Sequence, residues 1–226
     1  MSKQETGQPT EERTPTRERI MEAALALFSR NGYEGVSVRE IARSVGIKES
    51  SLYKHYQSKQ HLFDTILVEM NERYRSMEGM LGLDLGGADS SSGDKASTFY
   101  AKLSEENLIQ ASEGLFRYFL QDEYAAKFRR MVTLEQYRNN EAGEAFRGIF
   151  LNGPLVYQSA LFRRLMEMGI LRDADPELVA LHFYSPLYLL LCLYDNQPER
   201  VEEALRRVRA HVRQFNRMYS LEGEDR

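Results

Sequence analysis

The chain is a succession of segments whose apolar residues recur at intervals of three and four, the spacing that gathers them on one face of an α-helix. Ile20, Ala24, Leu27 and Phe28 form one such stripe, and Val38, Ile41, Ala42 and Val45 form another. Alternating β-branched strands are absent, and only 6 prolines are spread over 226 residues. The pattern predicts an all-α protein. Its first helix is expected over 15–30, with Thr14 as cap, Pro15 in the first turn, and Asn31 or Gly32 ending it in the left-handed conformation. Ser37 followed by Glu40 is a capping box for a two-turn helix. Gly46 then makes a tight turn, a short helix covers 48–56, and Ser58 caps a longer helix running from 59 towards 77. Two short helices about a glycine corner predict a helix-turn-helix.

Glycine, serine and aspartate dominate residues 79–97 and break the periodicity, as a loop or linker does. The expected organisation is an arm over 1–13, a helix-turn-helix domain over 14–74 with its motif at 37–56, the linker over 79–97, a larger helical domain over 98–219, and a tail over 220–226. Beyond the linker, helices are expected over 98–120, 123–139, 142–169, 175–194 and 198–219. Asp175, Pro176 and Glu177 supply a cap, a first-turn proline and an acid at the positive end of the dipole.

In the last helix Val201, Leu205, Val208, Val212, Phe215 and Tyr219 follow the narrow seam of helix-on-helix packing. The preceding segment, 178–194, is apolar almost all round and needs cover on more than one face. It is short for a membrane span, and His182, Ser185 and Pro186 interrupt it, so a buried helix and no membrane partner are expected. A second copy of the same pair would give a homodimer through Leu187, Leu190, Leu191, Val201, Leu205, Val208, Val212 and Phe215. The alternative is a seam closed within one chain.

Charge sharpens the picture of the motif. The net charge is −4 and the pI near 5.7, which excludes a uniformly basic nucleic-acid coat but not a local patch. Within 36–59, Arg39, Arg43, Lys48, Lys54 and Lys59 outnumber Glu40 and Glu49, a local excess of three positive charges. Advancing 100° per residue from Lys48 turns Leu52 and Tyr56 inward and Glu49, Ser50, Tyr53 and Lys54 outward. That outward face is small in front and aromatic or basic behind, which suits a major groove. Front residues would meet base edges, while Tyr53, Lys54, His55 and Lys59 would reach phosphates.

Catalytic chemistry has little to stand on. The single cysteine, Cys192, excludes an internal disulfide or a multi-cysteine metal site and suits a reducing cytoplasm. His55, His61, His182 and His211 have no zinc spacing, and no phosphate loop or nucleophile elbow is present. No catalytic residue, metal or cofactor is expected.

Gly32-Tyr33, Val36-Ser37-Val38, Ile41-Ala42, Gly46-Ile47, Leu52-Tyr53, His55-Tyr56, Ser58-Lys59 and Leu62, with Phe28 before the glycine, resemble the DNA-binding domain of the TetR family over 14–74. The resemblance implies a cytoplasmic repressor that binds a palindromic operator in double-stranded DNA as a homodimer and is released by a small, mainly apolar effector. It implies phosphate contacts for Ser37, Arg39, Tyr53, His55 and Lys59, and base-facing positions for Val38, Glu49 and Ser50. The candidate DNA-contacting set is thus Ser37, Val38, Arg39, Lys48, Glu49, Ser50, Tyr53, Lys54, His55 and Lys59. Ser37 serves as a cap, with or without a DNA contact. Glu49 either accepts from a cytosine amino group or only favours the helix start. The resemblance also implies an effector cavity lined by Phe116, Phe119, Phe128, Met131, Phe150, Tyr157 and Phe162, with Glu135, Arg138 and His182 orienting the ligand. Aromatic and methionine stripes are equally the substance of a plain core. Two other functions fit less well: a TetR-like protein that organises DNA or binds a protein without a ligand, and an all-α enzyme.

Overall fold

A computed structural model describes residues 15–80 and 104–221. Ten α-helices appear among the described residues: α1 (Thr16–Asn31), α2 (Val38–Val45), α3 (Glu49–Leu52), α4 (Lys59–Met80), α5 (Glu105–Gln121), α6 (Glu123–Glu135), α7 (Asn140–Arg147), α8 (Gly153–Glu167), α9 (Pro176–Leu193) and α10 (Val201–Tyr219). A π-helical turn, Gly148–Asn152, joins α7 to α8, and a 3₁₀ turn, Pro198–Arg200, leads into α10. No strand occurs among the described residues, only an isolated bridge between Leu171 and Ser220. The all-α expectation holds. The predicted arm, most of the linker, the start of the helix expected over 98–120 and most of the tail lie outside the described residues.

Several helix ends follow their sequence signals. Ser104, Asp122, Asn139 and Asp175 each accept from a backbone N–H of the first turn, removing orphan donors that a helix otherwise leaves. Asp175 takes two such bonds, beside Pro176 in the first turn. Pro15 stands at the N-cap of α1 and not inside its first turn. Gly32, at φ 71°, follows the last residue of α1. The segment expected as one helix over 142–169 is interrupted by the π turn. A Cβ at Gly153 would lie 2.1 Å from the Gly148 carbonyl oxygen, so only glycine fits that turn.

The buried residues form two cores, and the division does not follow the predicted domain boundary. The first gathers α1–α4 (Phe28, Ile41, Leu52, Phe63) together with α6, α7 and the π turn (Phe128, Met131, Phe146, Phe150). The second joins α5, α8, α9 and α10 through Phe116, Phe162, Phe183, Val208 and Phe215. Phe119 packs against both. The helix-turn-helix domain is therefore seated directly on α6, whose apolar face completes the core of the four N-terminal helices.

The second core corrects the predicted dimer seam. Val201, Leu205, Val208, Val212 and Phe215 are all buried within one chain, Val208 and Val212 completely, as are Leu190 and Leu191, while Leu187 is half-buried. The seam is closed by α5 and α9 of the same chain. The surface left open is a different stripe of α9: Leu178, Leu181, Leu189 and Leu193, with Leu189 65% exposed. The expectation of a buried helix over 178–194 is thus half right. One face of α9 packs inward through Val179, Phe183 and Leu190. The helix is long and apolar enough to cross a bilayer, with a mean hydropathy of 1.4 over 18 residues.

Ion pairs knit the helices. Arg209 bonds Glu113 across α10 and α5. The nearly buried Arg129 and its neighbour Arg130 both approach the Asp195 carboxylate within 2.8 Å, tying α6 to the end of α9. Burial opposes the charge on Asp195, yet the Arg130 hydrogen bonds and the Arg129 charge hold its carboxyl below the usual range.

Candidate nucleic-acid interface

The motif is built from local rules. Ser37 Oγ accepts from Glu40 N–H at 3.2 Å, and Glu40 Oε2 accepts from Ser37 N–H at 2.7 Å, completing the capping box. Ser37 Oγ–H also donates to that carboxylate. These Ser37 bonds lower the Glu40 pKa. The Ser37 hydroxyl is thus already engaged as a cap. Gly46 closes α2 at φ 75° and ψ 33°, a left-handed conformation that a side chain adopts only at a cost. Its N–H is spent on the Arg43 carbonyl, and Ile47 N–H on that of Ala42.

Next, α3 is shorter than the predicted helix over 48–56. It ends at Leu52, and the N–H groups of Lys54 and His55 turn back to the carbonyls three residues earlier. The tightening follows from Leu52 and Tyr56 both plugging the first core. Leu52 is fully buried, and Tyr56 donates its hydroxyl to the Arg17 carbonyl at 3.1 Å. Tyr53, Lys54 and His55 consequently stand on a turn beyond the helix. All three are exposed, as are Ser37, Arg39, Lys48, Glu49 and Ser50, while Val38 is half-buried. Eight of the ten residues singled out for DNA contact thus stand in solvent, on α2, α3 and the residues that flank them.

Lys59 differs from the rest of that set. Its Nζ donates to the carbonyls of Tyr33 (2.9 Å) and Val36 (3.0 Å) and lies 4.0 Å from the Tyr33 ring centre. The ammonium pins the start of α4 to the α1–α2 connection. His61 is half-buried against Tyr56 and accepts from Gln57 N–H. Ser58 caps α4 as predicted, accepting from His61 N–H at 2.9 Å.

The residues predicted to line an effector cavity are not brought together. Phe128, Met131 and Phe150 pack in the first core and Phe116 and Phe162 in the second, with Tyr157 half-buried against the second. Phe119 meets Phe150 edge-to-face at 5.6 Å where the two cores adjoin, and Phe162 meets Phe183 in the same way at 5.6 Å within the second. Glu135, 2% exposed, accepts from Tyr33 N–H at 2.8 Å. It is a latch between α6 and the end of α1, pressed so close that a Cβ at Gly32 would meet its Oε1 at 2.9 Å. Arg138 is exposed on the turn after α6. His182 is exposed and bonded to the Tyr219 hydroxyl. None of these residues lines either of two surface hollows, one of about 550 Å³ between α4 and α7–α8 and one of about 300 Å³ along α9. No group of three metal-ligating side chains occurs among the described residues.

Comparison with known proteins agrees with this geometry. The sequence profile described as "Bacterial regulatory proteins, tetR family" matches residues 20–66. The "Probable HTH-type transcriptional regulator YttP" of Bacillus subtilis is 24% identical over 90% of this chain and 88% of its own length. The "HTH-type transcriptional regulator UidR" of Escherichia coli is 40% identical, over 27% of this chain and 32% of its own. Among solved structures, SmeT of Stenotrophomonas maltophilia in complex with triclosan shares the fold at a TM-score of 0.62 and 19% identity, over 92% of this chain and 93% of that one. Residues 20–66 thus match the DNA-binding segment of the TetR family, and nearly the whole chain is similar to an HTH-type transcriptional regulator.

Proposed function

We propose that this regulator is a cytoplasmic repressor that grips a palindromic operator as a homodimer and is released by a small, mainly apolar effector. The observation that carries the DNA reading is the face over 48–55. Its backbone is anchored by buried Leu52 and Tyr56, while Lys48, Glu49, Ser50, Tyr53, Lys54 and His55 stand in solvent. Ser50 and Glu49 lead into the groove, and Arg39, Tyr53, Lys54 and His55 flank it at phosphate positions. Glu49, first residue of α3, takes the position where a cytosine amino group would be read.

The homodimer is supported by the open stripe of α9, since four leucines spaced by three, eight and four residues along one helix favour cover by a copy of themselves. Two such motifs must lie about 34 Å apart to meet successive major grooves, so a ligand that tilts α4 would alter operator affinity. SmeT's complex with triclosan supports the effector, and its description as the repressor of an efflux pump supports repression. The close packing of Phe119, Phe128 and Phe150 favours a second reading, in which no ligand enters the core.

Fluorescence anisotropy on operator and on unrelated DNA tests the contact face. Tyr53→Ala should weaken both by about tenfold, one charge-assisted hydrogen bond's worth. Lys54→Ala should lower the slope of log affinity against log salt by about one. Unchanged affinity and slope in both variants would refute the face.

A further inference from the structure

The hollow of about 550 Å³ is a groove between α4 and the α7–π–α8 segment. On one wall Leu67, Val68 and Tyr74 fall on a single face of α4. On the other, Ala145, Gly148 and Ile149 continue one face of α7 into the π turn. The missing side chain at Gly148 keeps that wall low, with no atom within 4 Å of where its Cβ would lie. An apolar body of several carbons has room to settle between them.

The rim is charged, and one sign dominates. Asp64 on α4 faces Glu141 and Glu144 on α7, with Arg75 as the one cation of the lining. Glu141 sits in the first turn of α7, where the helix dipole favours an acid. Glu144 has no such benefit, and three residues on from Glu141 it repels a like charge on the same face. Both carboxylates are exposed, and neither makes a hydrogen bond or ion pair among the described residues. A cation placed between them and Asp64 would offset that repulsion while its apolar part covered Leu67, Val68 and Ile149.

We propose that this groove binds a small organic cation with an apolar body. The site itself stands on the groove alone. Its consequence at DNA rests on the effector reading above. One wall belongs to α4, whose first residue, Lys59, is bonded to the α1–α2 connection. A ligand wedged between α4 and α7 would act on the helix that carries the DNA-reading face.

Calorimetric titration of the full chain with tetraphenylphosphonium and tetraphenylborate, equal in shape and opposite in charge, tests it. The phosphonium should bind about tenfold more tightly than the borate. Glu141→Gln combined with Glu144→Gln, at two exposed positions that leave folding intact, should erase that preference. Gly148→Leu, which fills open space, should weaken both ions. Equal binding of the two ions, or phosphonium binding indifferent to all three substitutions, overturns the site. Adding operator DNA separates the two claims: phosphonium that binds and lowers operator affinity supports both. Phosphonium that binds and leaves operator affinity unchanged supports the site and overturns its role as an effector site.

Discussion

The helix-turn-helix over 37–56 and the α9–α10 pair both carry apolar residues at three- and four-residue intervals, but the two patterns are covered by different means. In the motif the inward positions Ile41, Val45, Leu52 and Tyr56 are all buried within the same small domain, whose α1 in turn packs on α6. In the pair, the regular stripe of α10 is just as fully buried, while α9 has apolar residues on two faces and only one finds a partner within the chain. Periodicity tells which face of a helix is apolar. It does not tell what covers that face.

The largest expected effect breaks the two stripes apart. Val208→Asp would place an unpaired carboxylate at a fully buried site, with a loss of more than about 4 kcal/mol, enough to abolish folding; urea denaturation measures it. A variant that stays folded and becomes monomeric would return the α10 stripe to the dimer interface. Asp195→Ala leaves the nearly buried Arg129 without its counter-ion and should cost about 3 kcal/mol by the same assay.

The same part of the molecule predicts a pH response. Glu203 is held at about 2 by hydrogen bonds from Arg200 and then Tyr194, and Asp195 is also depressed. Depressed carboxyls stabilise the fold fully above their unfolded values near 4.5 and 3.8, and that contribution is lost as pH falls towards 2. Thermal melts should be flat above about pH 5 and decline below it, and Glu203→Gln should flatten the decline.

Smaller effects sharpen the comparison. Gly46→Ala forces a side chain into the left-handed region and should cost about 1 kcal/mol, reducing stability at the motif without touching the second core. Leu189→Glu, on the open stripe, should leave the circular dichroism spectrum unchanged and shift sedimentation from dimer to monomer. A soluble, intact dimer would show that α9 meets some other partner.

What could be read from the sequence follows the range of each interaction. Ser37 with Glu40, Gly46, and the opposed faces of Leu52 and Tyr53 depend on contacts within a few residues, and all are found where spacing places them. Glu135 was legible only as a polar residue among aromatics, because its partner, Tyr33 N–H, lies about a hundred residues away in sequence. Lys59 looked like a phosphate contact because a free ammonium and one bonded to two carbonyls have the same one-letter code. The π turn was signalled only by Gly148 and Gly153, and the split of the aromatics between two cores by nothing in their spacing.

The most direct test of the central claim is selection of bound DNA from a random pool by the full-length protein. A dimer reading DNA through the face over 48–55 predicts recovery of an inverted repeat whose half-sites lie about one helical turn apart. Recovery of a single half-site, or of no preferred sequence, would contradict it.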